Sequence, residues 1–243
     1  MKIHRLSDKV ALVTGAGRGI GRATALALAA EGVRVALAAR SAVEIEKTSA
    51  QIQKNSGKSK AFLTDLAQAG VAQLLVSGVV EAFGRLDILV NNAGAAFARP
   101  IAETTAEEWD HLMAVNARAP FLLCQAALPY LKKSGQGRIV NISSVVGYKG
   151  YLNQGAYAAS KHALVGFTKV LAQEVMGDGI RVHLVSPGGV DTQMAGAMRP
   201  DLDRHGLTTP EEVAHIILFL LRQTGNAVID EVNIRRAGKS PWA

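Results

Sequence analysis

Residues 10–31 constrain the fold more than any other stretch. Val10-Ala-Leu-Val-Thr14 is a short, apolar, β-branched run, which reads as a buried strand. It passes directly into Gly15-Ala-Gly-Arg-Gly-Ile-Gly21, and an Ala/Leu-rich helical stretch follows from about Ile20 to Glu31. Strand, glycine turn and helix in that order is the setting in which a glycine-rich run becomes a phosphate site. Gly15, Gly19 and Gly21 let the backbone turn tightly and approach a pyrophosphate, and the helix N-terminus stabilises the negative charge. The spacing is Gly-x-x-x-Gly-x-Gly, different from the general Gly-x-Gly-x-x-Gly fingerprint. A glycine-rich turn without a ligand is the alternative.

The same alternation continues down the chain. Val33–Ala39, Lys60–Thr64, Leu86–Val90, Arg138–Ile142 and Ile180–Val185 read as the second to sixth strands, and residues 227–234 hold a seventh. Helical stretches of about 10–20 residues separate them. Near-continuous apolar strands alternating with helices imply an α/β fold, a doubly wound parallel sheet with helices on both faces. Ligands of such sheets bind beyond the carboxyl ends of the strands. Gly15, Asp65, Asn91, Ser144 and Pro187 each follow a predicted strand.

The 243 residues suit one α/β domain over 1–243, and no linker, repeat or low-complexity tract divides them. The N-terminal residues lack an apolar leader, and no apolar run approaches about 18 residues, so the expectation is a cytoplasmic protein without a membrane span. Cys124 is the only cysteine, which rules out an intramolecular disulfide and fits a reducing compartment. Its neighbours Phe121–Leu128 suggest a buried helical thiol acting as a small hydrophobe. The net charge is +7, but the basic residues are scattered and aromatics are only 5%. A nucleic-acid partner is therefore not expected, and the excess charge favours anionic ligands. None of the six histidines forms a His-Glu-x-x-His or a Cys/His cluster, so no metal is expected.

Tyr157 and Lys161 lie four residues apart, and Ser144 stands thirteen residues before the tyrosine. Positions i and i+4 share one face of a helix. A free phenol ionises near pH 10, and a neighbouring ammonium favours the phenolate. A tyrosine so placed can move a proton to or from a substrate oxygen, which a serine hydroxyl can hold. A pair at this spacing is also common on solvated helix faces, so the rest of the chain decides.

Taken together, Thr14-Gly-x-x-x-Gly-x-Gly21, Asn91-Asn-Ala-Gly94, Asn116, Ser144, Tyr157-x-x-x-Lys161 and Pro187-Gly188 with Thr192 resemble the short-chain dehydrogenase/reductase family over residues 6–235. The likeness is greatest to its 3-oxoacyl-carrier-protein reductases and NADPH-dependent carbonyl reductases. It implies a single Rossmann-type domain, with Tyr157 as general acid in reduction and general base in oxidation. By the same resemblance Lys161 favours the phenolate and holds the nicotinamide ribose, and Ser144 orients the substrate oxygen. Asn116, placed on an amphipathic helix over about Thr105–Leu128, anchors a water linked to Lys161. The cofactor would be held by Gly15, Gly17, Arg18, Gly19, Ile20 and Gly21 at the glycine turn. Asp65, Leu66, Asn91, Ala93 and Gly94 would hold the adenosine half. Pro187, Gly188, Val190 and Thr192 would hold the nicotinamide half.

The second strand ends Ala38-Ala39-Arg40-Ser41, without the carboxylate that would bond an NAD ribose 2′-hydroxyl. Arg40, with Arg18, can instead pair a 2′-phosphate, so the expected cofactor is NADP(H). The expected activity is interconversion of a small-molecule carbonyl and a secondary alcohol. The alternatives are a 3-oxoacyl-carrier-protein or acyl-CoA thioester reductase, and a non-enzymatic NADPH-binding protein. Two departures from the carrier-protein reductases stand out. Gln173 occupies the place of their usual Arg, and Val232-Asn-Ile-Arg-Arg-Ala-Gly238 replaces their Val-Asp-Gly-Gly ending. By the resemblance, the segment from Thr192 to Thr209 covers the substrate as a short lid; Met194 and Met198 are either pocket residues there or ordinary packing residues. A homo-oligomer, tetramer or dimer, is expected with the helices of Asn116 and Tyr157 at an interface.

Overall fold

The computed structural model describes residues 6–199 and 202–240. Seven strands form one parallel sheet in the order β3-β2-β1-β4-β5-β6-β7. They are β1 (Val10–Thr14), β2 (Arg34–Ala39), β3 (Ser59–Leu63), β4 (Ile88–Asn91), β5 (Arg138–Ile142), β6 (Arg181–Pro187) and β7 (Glu231–Ile234). The expected strands match within about two residues, apart from the seventh, which is confined to the second half of 227–234.

Strand side chains alternate between two apolar cores, one on each face of the sheet. Ala11, Val13, Val35, Leu37, Ile88 and Val90 point to one core. Helices α1 (Gly19–Ala30), α2 (Ala42–Lys54) and α8 (Pro210–Arg222) close it with Leu28, Ile52 and Ile217. Val10, Leu12, Ala36, Leu89 and Ile139 point to the other core. Helices α3 (Val71–Phe83), α5 (Ala119–Lys133) and α6 (Gly155–Glu174) close that side with Val76, Leu123 and Leu171. Burial on both faces is why the central strands β1, β2 and β4 are almost wholly apolar, whereas the edge strands β3 and β7 are partly exposed and carry polar residues. A short helix α7 (Gln193–Met198) follows β6. No helix among the described residues is long and apolar enough to cross a membrane.

Helix starts follow local chemistry. Ser41 caps α2 by accepting a hydrogen bond from the Glu44 amide. Thr105 with Glu108 and Thr209 with Glu212 form reciprocal capping boxes at α4 (Ala106–Met113) and α8. The single helix expected over Thr105–Leu128 is interrupted. Residues Ala114–Arg118 form one wide turn between α4 and α5. Pro120 has no N–H to give to the Asn116 carbonyl four residues back, so the regular ladder fails there. Asn116 sits inside this turn and is 1% exposed.

The sheet order reverses between β1 and β4, and the loops after these strands form the crevice characteristic of such a switch point. The Asn92 side chain donates to the carbonyls of Thr14 (2.8 Å) and Gly15 (3.3 Å). The Thr14 hydroxyl accepts from the amides of Asn92 and Ala93, both at 3.0 Å. These bonds fasten the glycine turn to the loop after β4. Gly15 lies at φ +64°, a conformation strained for any side chain.

Candidate active site

A cleft of about 1910 Å³ runs along the carboxyl edge of the sheet. At one end it is lined by Gly15, Gly17, Arg18, Gly19, Ile20, Arg40, Asp65 and Leu66, and further along by Ala93 and Gly94. At the other end it is lined by Ser144, Tyr157, Lys161, Pro187, Gly188, Val190 and Thr192, with Met194 and Met198. Most of the residues read as site candidates from the sequence thus share one cavity.

Three do not line it. Gly21 lies beneath the turn, where an added β-carbon would stand 2.3 Å from the Gly15 carbonyl oxygen. Asn91 turns its side chain into the sheet, donating to Asn141 Oδ1 (2.8 Å) and Cys124 Sγ (3.3 Å). Asn141 in turn donates to Thr168 (2.8 Å), so Asn91 belongs to a buried polar chain between β4, β5 and α6. Asn116 accepts from the Ala95 amide and donates to the Ala95 carbonyl and to Ser160 Oγ, at 2.8–2.9 Å. Both its amide hydrogens are used, so the side chain pins the 93–96 loop to α6. Sequence reasoning passed over Asn92, whose role in fastening the turn was signalled only by its place in Asn91-Asn-Ala-Gly94.

The polar groups at the substrate end are closely set. Lys161 is 4% exposed and its Nζ donates to the Ile142 carbonyl at 2.9 Å. The ammonium lies 5.9 Å from the centre of the Tyr157 ring. Burial lowers Lys161 to about 8. Burial also pushes Tyr157 up to about 12, opposed by a hydrogen bond with Ser144. The depression of the phenol expected from its lysine is absent: desolvation dominates, because Tyr157 is 8% exposed and packs against Leu112, Val146 and Ala156, and only the Ser144 hydrogen bond opposes it. Neutral phenol and charged lysine coexist at neutral pH. Ser144 Oγ also accepts from the Val146 amide at 3.2 Å. Ser143 lines the cleft beside it, but its hydroxyl is buried, 2.8 Å from where a Gly147 β-carbon would sit.

At the far end the two arginines differ. Arg18 pairs with Glu44 (3.3 Å) and donates to Gln193 Oε1 (2.7 Å), tying the glycine turn to α2 and α7. Arg40 is exposed and makes no side-chain hydrogen bond or ion pair among the described residues. Gly19 faces Thr192, with only 3.2 Å from its would-be β-carbon to Thr192 Cγ2. A bare backbone between two walls, an open guanidinium and helix α1 starting at Gly19 fit an extended, phosphate-bearing dinucleotide. Cys124 behaves as expected: it is buried, and desolvation pushes its thiol up to about 12. Among the described residues no three of His, Cys, Asp and Glu gather into a metal-binding group.

A doubly wound sheet with a glycine turn at its switch point and a Ser, Tyr and Lys at the adjoining strand ends defines an oxidoreductase of the dinucleotide-binding class. The short-chain dehydrogenase family model matches residues 9–203, and the chain belongs to that family. A 3-oxoacyl-[acyl-carrier-protein] reductase of Thermotoga maritima is 37% identical over 238 residues, 94% of this chain and 96% of the relative. D-threitol dehydrogenase of Mycolicibacterium smegmatis is 38% identical over 225 residues, covering 89% and 86%. A metagenomic short-chain oxidoreductase solved in complex with NADP superposes with a TM-score of 0.85 at 34% identity, covering 97% of this chain and all of that one.

Proposed function

We propose that the protein is an NADP(H)-dependent oxidoreductase that interconverts a carbonyl and a secondary alcohol on a small molecule. The observation that carries this reading is one cleft that presents Arg40, without a side-chain partner among the described residues, at one end and Ser144, Tyr157 and Lys161 at the other. When bound, the nicotinamide supplies the hydride. The chain positions the reactants and handles the proton. Ser144 Oγ donates to the substrate carbonyl, and the neutral Tyr157 phenol gives its proton to the oxygen as negative charge develops there. The Lys161 ammonium stabilises the phenolate left behind. In the oxidative direction Tyr157 acts as base in its phenolate form, which the Lys161 ammonium stabilises, and takes the proton from the alcohol. Asn116 serves by holding the loop over Gly94 against α6, and its water-anchoring role rests on the family resemblance.

The cofactor preference is tested at Arg40. A charge-assisted arginine–phosphate contact is worth about 1.5–3 kcal/mol, or roughly 10–100-fold. Arg40→Asp is expected to lower the NADPH:NADH ratio of kcat/KM by that factor. An unchanged ratio assigns the preference elsewhere.

The pH dependence follows from Lys161. Its charge is present below about 8 and lost above it, while Tyr157 stays protonated throughout. Reductive kcat/KM is therefore expected to be flat near neutrality and to fall as pH rises past about 8. A profile that climbs through that range contradicts the assignment.

A second reading, reduction of a 3-oxoacyl thioester, is favoured by the name of the Thermotoga relative. Gln173 in place of the usual arginine weighs against a carrier-protein partner. Preference for an acetoacetyl thioester over a free ketoester would favour this second reading. A homo-oligomer is supported by the α5–α6 face, where Phe121 (50% exposed) meets Phe167 edge-on at 5.9 Å beside Val170 (53% exposed). Light scattering should give a multiple of 25.6 kDa, and a monomer at all concentrations would overturn it.

A further inference from the structure

The segment after β7, which differs from the Val-Asp-Gly-Gly ending of the carrier-protein reductases the chain resembles, forms part of the cleft. Ile234 closes the sheet against Pro187, and its carbonyl accepts from the Gly188 amide at 2.8 Å. A β-carbon on Gly188 would also lie 3.9 Å from Val145, the neighbour of Ser144. The chain therefore leaves β7 beside the carbonyl end of the cleft. The next residues, Arg235 and Arg236, line it, as does Lys239.

Their charges are not equivalent. The Arg235 guanidinium folds back on the carbonyls of Arg236 and Ala237 (both 3.0 Å) and of Lys239. Arg204, across the cleft, is paired with Asp191. Arg236 is half-buried, and its side chain has no hydrogen bond or ion pair among the described residues. It lies over Gly189, with Nε 3.4 Å from where a β-carbon would be. Lys149, on the loop before α6, also lines the cleft; it is exposed, and its side chain has no hydrogen bond or ion pair among the described residues. A half-buried guanidinium laid on a bare glycine, with its fork unmatched, suits a planar or tetrahedral oxyanion.

This group is separate from the cofactor's phosphate site. Arg40 follows β2 and Arg236 follows β7, five strand spacings apart in the sheet order. At about 4.8 Å per spacing that is roughly 24 Å. Val145 and Met198 pack against the apolar cluster that holds Tyr157 and, with Met194, also line the cleft.

We propose that Arg236 is a specificity-determining residue that selects substrates bearing a carboxylate or phosphate a few carbons from the carbonyl. The inference rests on the carbonyl–alcohol reading of the same site. The test compares matched probes on the NADP-loaded enzyme by isothermal titration: acetoacetate against methyl acetoacetate, and dihydroxyacetone phosphate against dihydroxyacetone. The wild type should bind the anion of at least one pair about tenfold more tightly than its neutral partner, and the pair that responds distinguishes carboxylate from phosphate. Arg236→Gln should bring that ratio close to one, and Arg236→Lys should restore part of it. Equal binding within both pairs, or a preference that survives Arg236→Gln, overturns the proposal. NADPH oxidation in parallel separates the two claims. Anion-selective binding without turnover of any probe would leave this inference standing and sink the catalytic reading. Turnover of neutral ketones without anion preference would do the reverse.

Discussion

Tyr157→Phe lowers the rate of NADPH-dependent carbonyl reduction by about 10²–10⁴-fold, the range for removal of a positioned general acid. The phenol is the only group that the account allows to protonate the nascent alkoxide. The substitution removes one oxygen and leaves the ring in its contacts with Leu112, Val146 and Ala156. Stability and cofactor affinity are therefore expected to change little. Single-turnover measurement with saturating NADPH isolates the effect. A variant that binds NADPH normally and turns over at the wild-type rate would mean that another group supplies the proton.

The second large effect falls on Gly21. A β-carbon there stands 2.3 Å from the Gly15 carbonyl oxygen and 2.3 Å from Asn92 Nδ2. The first is backbone, and the second is held by its own bonds to Thr14 and Gly15. Neither can move without opening the turn. Gly→Ala within a helix otherwise stabilises by about 1 kcal/mol, so the sign of the outcome is set by the clash. Overpacking of this kind costs about 1–3 kcal/mol or more. Gly21→Ala should lower Tm by several degrees, at roughly 2–4 °C per kcal/mol for a chain of this size, and weaken NADPH binding by more than tenfold. Gly177→Ala, in the short turn Met176–Asp178 after α6, is the control, because no atom outside its own turn and chain neighbours lies within 4 Å of its would-be β-carbon. It should be neutral or slightly stabilising. If both variants behave alike, the close approach of α1 to the turn is not what shapes the cofactor site.

The parts of this molecule that could be read in advance are those with a short-range signature. The central strands were legible because both faces of the sheet are buried there, which makes β1, β2 and β4 nearly continuous apolar runs. The glycine turn was legible because strand, turn and helix are contiguous. The caps at Thr105 and Thr209 follow from spacing of three residues. What was not legible depends on partners far along the chain. The Asn91 side chain faces Asn141, fifty residues away, and nothing in Asn91-Asn-Ala-Gly94 says which asparagine turns inward. Arg18 is drawn to Glu44 and Gln193, which leaves Arg40 as the open guanidinium. The break at Ala114–Arg118 had a local cause in Pro120, but Pro129 sits inside α5 without ending it. Proline alone did not announce which site would yield. The upward shift of Tyr157 reflects burial, which i,i+4 spacing does not encode.

The central claim is hydride transfer between NADP(H) and a carbonyl in the cleft between Arg40 and Tyr157. The most direct test follows oxidation of NADPH, with NADH in parallel, against ketones, diketones, sugars, keto acids and an acetoacetyl thioester. The account predicts NADPH consumption matched one-to-one by alcohol product on at least one small carbonyl compound, and faster than with NADH. Tight NADPH binding with no turnover across that panel, or turnover with NADH alone, would contradict it.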